Sequence, residues 1–223
     1  MHEMKYFSII ISFLFFSSIN SHAQTLERIL EGAYAEINNE TRYNTEMLEK
    51  YFPPTYRNRK DTGKAVYPNG DVNPKEGICA DLVVRALRNA GIDLQELVHL
   101  DIISNKKSYG VGTPDKYIDQ RRVWILKTYF RRNWQSLPVS LDNLSDWKPG
   151  DIVIWDIGSK KHLHIGIIGK KKRRNGFPYV IHNMRYIPFI FAGKTIEQDV
   201  LEGPKFLWIV VRKWEIIGHY CIH

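Results

Sequence analysis

Cysteine is almost absent: Cys79 and Cys221 are the two thiols of a 223-residue chain. That excludes a fold stapled by a disulfide framework, which would need cysteines at much higher density. A single bridge between them would close a loop over most of the chain. Acidic residues are in deficit, 24 Asp and Glu against 32 Lys and Arg, for a formal charge of +8. A basic surface suits polyanionic partners such as carboxylate-rich wall polymers. No nucleic-acid recognition motif accompanies the charge, so nucleic acid is not an expected partner. Tight ligand spacings of the Cys-x-x-Cys or His-Glu-x-x-His kind are also missing among His162, His164, His182, His219, His223 and the two cysteines. Neither a metal nor a cofactor is therefore expected. No internal repeat or low-complexity tract is present.

Long apolar runs are scarce, and the longest lies at the start. Lys5 precedes the apolar run Tyr6 to Phe16, and Ser21-His22-Ala23 gives a small-x-small site before Gln24. This pattern reads as a secretory signal peptide over residues 1–23, too short for a membrane span. The expected mature protein is one domain over 24–223, periplasmic or secreted, with no transmembrane anchor.

The most informative stretch is Glu76 to Leu87. Leu82, Val83, Ala86, Leu87 and Ala90 recur at helical spacing, with Gly91 as the stop. Cys79 opens this helix in phase with Leu82 and Ala86, so it faces the core. Free amides at a helix N-terminus favour a thiolate, whereas a buried cysteine without a base is simply a small apolar residue. Further helical patterns run from Leu26 to Ile37, Thr45 to Tyr51, Leu94 to Ile103 behind a capping Asp93, and Asp115 to Arg132.

From Trp147 the pattern turns to strands: Ile152–Trp155, His164–Ile168, Tyr179–Asn183, Phe206–Val211 and Trp214–Tyr220. Lys170 to Arg174 with Asn175-Gly176 reads as a solvated hairpin tip. Short turns between strands favour an antiparallel sheet, and with helices gathered in the N-terminal half the fold class is α+β. If the strands of His164 and His182 pair, both imidazoles share a face. A helix on that face would bring Cys79 to His164, with His182 or Asn183 orienting the base.

Cys79-Ala80-Asp81 on a helix, Pro149-Gly150-Asp151-Ile152-Val153, His164-Ile165-Gly166-Ile167 and Ile181-His182-Asn183 resemble the NlpC-type cell-wall peptidases of the papain-like clan. Within that superfamily the chain resembles the bacterial domain-of-unknown-function family 1287 over roughly residues 30 to 220, through Tyr67-Pro68-Asn69-Gly70-Asp71-Val72, Gly77-Ile78-Cys79-Ala80-Asp81, Gly91-Ile92-Asp93-Leu94-Gln95, Arg121-Arg122-Val123 and Ile217-Gly218-His219-Tyr220. The resemblance implies a papain-like fold whose C-terminal antiparallel sheet packs against the cysteine helix, with extra N-terminal helices. It also implies Cys79 as nucleophile, His164 as general base, His182 as orienting group and Tyr67 as an oxyanion contact. Where those peptidases carry serine-glycine after the cysteine, this chain has Ala80-Asp81. Asp81 and Arg85 either pair at i, i+4 or line the cleft and read substrate charge. The implied activity is a thiol hydrolase cleaving amide bonds in peptidoglycan stem peptides. A non-catalytic wall-binding module and an acyltransferase of the same fold are the alternatives.

Overall fold

The computed structural model describes residues 3–46, 66–158, 162–185, 193–206, 209–210 and 213–222; for residues 3–20, 206 and 209–210 it describes the backbone alone. Helix α1 (Glu3–Asn38) runs without a break through Ala23-Gln24. No helix of the described residues is long and apolar enough to cross a membrane. Strand β1 (Arg42–Tyr43) pairs in parallel with β2 (Glu76–Gly77), placing Tyr43 opposite Gly77. Helix α2 (Cys79–Asn89) follows at once. It ends at the Ala90 cap, and Gly91, at φ +82°, turns the chain in the left-handed region that glycine tolerates. The Asp93 carboxylate accepts from the Gln95 amide and starts α3 (Leu94–Ser104). Helices α4 (Lys106–Tyr109) and α5 (Val123–Asn133) complete the helical layer. The helix expected from Asp115 begins only at Val123. Upstream, the Asp115 and Asp119 carboxylates accept from the amides of Tyr117 and Asp115, and a 3-10 turn over Asp119–Arg121 replaces the first helical turns.

Six antiparallel strands form the sheet in the order β3 (Gln135–Ser136), β10 (Glu215–Cys221), β4 (Ile152–Asp156), β5 (Leu163–Lys172), β6 (Pro178–Asn183), β7 (Thr195–Gln198). The expected strand at 206–211 is instead a separate pair, β8 (Lys205–Phe206) and β9 (Ile209–Val210). The basic run does close the β5–β6 hairpin, with Gly176 in its turn at φ +84°. Of the expected short helix at Thr45 to Tyr51, residues 47–51 lie outside the described residues.

The sheet is buried on both faces. Ile152, Ile154, Ile165, Ile167 and Ile181 point to one face, where they join Cys79, Leu82, Val83, Ala86 and Leu87 of α2 together with α1, α3 and α5. Helices α1 and α2 approach closely enough that a Cβ on Gly32 would stand 2.8 Å from the Ala86 Cα. Trp147, Val153, Trp155, Ile168, Val180, Val200, Leu201 and Trp214 form a second cluster on the other face. Burying apolar area at about 25 cal/mol per Å² makes such two-sided burial the main stabilising term.

Candidate thiol site

Cys79 is the first residue of α2, and its side chain is buried. Two residues on, Asp81 reaches back so that its Oδ2 accepts from the Ile78 amide at 2.9 Å, tying down the turn that carries the cysteine. The other Asp81 oxygen accepts from Arg121 Nε at 2.7 Å, with both side chains almost wholly enclosed. The sulfur meets the sheet at the backbone amide of Ile165, and the amides of Ala80 and Cys79 also support it. Burial is the strongest influence on the thiol and pushes its pKa up to about 12; the Ile165 amide pulls down and the Asp81 charge adds to the rise. The resting group is therefore a neutral thiol held by amides. Both cysteines are free, and Cys221 donates to Gln135 Oε1 at 3.3 Å.

His164 and His182 are brought together as the spacing suggests. His164 Nε2 lies 2.9 Å from His182 Nδ1, and His182 Nε2 lies 3.3 Å from Gln198 Oε1. The carbonyl oxygen of Gln198 only accepts, so His182 carries its proton on Nε2 and presents a lone pair at Nδ1. His164 then donates from Nε2, which leaves its Nδ1 as the basic nitrogen. Trp155 stacks on the His164 ring at 5.5 Å, and Trp214 meets it edge-on at 5.5 Å, closing the relay from water. Burial depresses both imidazoles, His164 well below the usual value with His182 adding to the effect, and His182 to about 4.

The expectation that α2 lies on the imidazole face is corrected. Trp155 sits opposite His164 in the β4–β5 ladder, so His164 points into the tryptophan cluster, while α2 packs on the Ile165 side. The hydrogen-bond partners of the Cys79 sulfur are amides rather than an imidazole. The amide that touches Cys79 belongs to the residue after His164, so the thiol and the imidazole flank one stretch of β5 from opposite faces of the sheet. The β5–β6 register ends at Ile167↔Ile181, just short of this point.

The remaining candidates occupy separate surroundings. Asn183 falls on the α2 face opposite Thr195, buried, with neither side-chain polar atom partnered among the described residues. Arg85 and Asp81 do not pair; Arg85 holds Asp71 and Glu36, each at 2.9 Å. Tyr67 packs edge-on to His99 at 5.4 Å. Two residues escaped the sequence reading. Tyr43, beside Gly77, is close enough to the site that Cys79 and Asp81 add to the effect of burial in pushing its phenol up to about 12, against Arg185. Gln198 ends a polar strand, Thr-Ile-Glu-Gln, that offers no alternation to read.

An α+β chain with a six-stranded antiparallel sheet, a cysteine opening a helix on one face and a buried imidazole pair on the other defines the class. Residues 30–222 match the family described as "Domain of unknown function (DUF1287)", and the chain belongs to that family. The "Uncharacterized protein YijF" of Escherichia coli (strain K12) is 40% identical over 158 residues, covering 69% of this chain and 68% of that protein. No solved structure matches.

Proposed function

We propose that the protein is an extracytoplasmic thiol hydrolase, released by cleavage after Ala23, that cuts amide bonds in peptidoglycan stem peptides on a papain-like NlpC-type fold. One observation carries the reading: Cys79 opens a helix with backbone amides on its sulfur, and the residue before the Ile165 amide it touches is His164, the head of the Gln198–His182–His164 chain. Cys79 and His164 rest on opposite faces of the sheet, so in this reading the His164 side chain turns to the Cys79 side before its Nδ1 takes the thiol proton and the sulfur attacks the amide carbon. The tetrahedral oxyanion is met by the Cys79 amide, with the Tyr43 phenol near at hand. The amine leaves with the proton from His164, and a thioester remains on Cys79. Water then adds to the thioester carbon, the C–S bond breaks, and the water proton restores the thiol as the acid is released. An amine in place of water would make the same site a transferase.

A thiol pushed up to about 12 and bonded to amides favours a second reading, a wall-binding protein that retains the cleft without turnover. Purified peptidoglycan separates the two. The hydrolase lowers turbidity and releases muropeptides, and Cys79→Ala does neither. Sedimentation with the wall without released product, equal for both proteins, would establish the binding module.

A further inference from the structure

A cleft of about 810 Å³ lies between α3 and the start of α5, lined among others by His99, Lys116, Tyr117, Arg122 and Trp124. Lys116 Nζ stands 5.1 Å from the ring centroids of both Tyr67 and Tyr117, and among the described residues it forms no ion pair with a carboxylate. Arg122 grips the buried Asp119 at 2.7 Å, yet its side chain remains 39% exposed to the cleft side. Trp124 presents an apolar face that is 44% exposed. Burial and the Lys116 charge lower the His99 pKa against the Asp115 carboxylate, which also lines the cleft, and the buried His99 Nδ1 has no hydrogen-bond partner among the described residues. The first turn of α5 has neither an acidic residue nor a side-chain cap, so its positive end adds to the field.

An ammonium held between two rings gives up part of its hydration, and the ring quadrupoles return only some of it. A carboxylate entering such a cleft completes the cation's coordination through a charge-assisted hydrogen bond. We propose that this cleft binds a carboxylate borne on a small scaffold with an apolar flank, Lys116 and Arg122 taking the charge and Trp124 covering the flank. Where the hydrolase reading holds, the ligand is the free acid of a wall fragment, either the C-terminus of a stem peptide or a sugar acid. The cleft is tied to the thiol helix through one guanidinium: Arg121 donates from Nη1 to the Tyr117 carbonyl at 3.0 Å and from Nε to Asp81 at 2.7 Å.

Calorimetric titration of the Cys79→Ala protein with D-alanyl-D-alanine, D-alanyl-D-alaninamide and N-acetylmuramic acid tests the site without turnover. At least one of the two acids binds, the uncharged amide does not, and Lys116→Gln weakens binding roughly tenfold, the size of one charge-assisted bond. Trp124→Ala, at an exposed position, also weakens binding while leaving the melting temperature unchanged. Binding of the dipeptide alone assigns the site to peptide ends; binding of the sugar acid alone assigns it to glycan. The proposal is overturned if neither acid binds at millimolar concentration, if the amide binds equally well, or if both variants bind as the parent does. Binding by a protein that leaves the wall uncut would retain the cleft and discard the hydrolase, and cutting without binding would do the reverse.

Discussion

His164 Nε2 stands 2.9 Å from His182 Nδ1, the two rings edge to face with their centroids 5.2 Å apart, and both are sealed from solvent. Neutral imidazoles so placed make stability depend on pH. The folded state holds His182 at about 4 and His164 well below 6.5, whereas the unfolded chain takes up protons near 6.5. The unfolded state therefore binds more protons between those values, and stability present above pH 6.5 is lost as pH falls toward 4. For His182 alone the loss is on the order of 3 kcal/mol. Urea midpoints at pH 7.5 and 4.5 measure it; a flat profile would show that the pair is charged or open to water.

Gly166 separates the strand that carries His164 from the one that carries His182. A Cβ there would stand 2.7 Å from Val180 Cγ1, 2.9 Å from the Ile181 carbonyl and 3.3 Å from His182 Cβ. Gly166→Ala must push β6 away, at a cost of about 1–3 kcal/mol typical of overpacking. The expected outcome is a lower urea midpoint together with a shifted His182 ring resonance. An unchanged midpoint would mean that the strands are further apart than described.

Asp81 both holds the Ile78 amide and neutralises Arg121. Asp81→Asn keeps a hydrogen-bonding side chain but leaves the enclosed guanidinium without its closest carboxylate. Breaking a buried pair in this way costs about 3–5 kcal/mol. Chemical denaturation checks it, and a loss under 1 kcal/mol would place the pair in effective contact with water.

The raised Cys79 thiol sets an order of reactivity. At pH 7.5 iodoacetamide should label the half-buried Cys221 before Cys79, and Cys79 labelling should climb steeply only above pH 9 as the thiolate forms. Peptide mapping by mass spectrometry reads both rates. Rapid labelling of Cys79 at neutral pH would instead reveal a thiolate and contradict the buried neutral thiol.

Much of this arrangement is legible in the residues themselves. The 3.6-residue spacing of Cys79, Leu82 and Ala86 defines α2, Gly91 and Asp93 mark its end and the start of α3, and Ile181-His182-Asn183 gives β6. What spacing leaves open is the face on which α2 settles. Ile165, Ile167 and Ile181 on one side and Trp155, Ile168 and Val180 on the other are equally apolar, so alternation tells which residues share a face but not which face receives the helix. Gln198 and Tyr43 are hidden for another reason: each lies in a short polar segment ordered by its neighbours rather than by its own pattern.

The most direct test of the thiol chemistry is the mass of the protein during turnover. Acid quenching of a reaction with soluble muropeptides should leave an acyl group on the peptide containing Cys79, absent from Cys79→Ala and strongly reduced in His164→Ala. Released muropeptide with no adduct on Cys79, or release undiminished in Cys79→Ala, would contradict a thioester route through this residue.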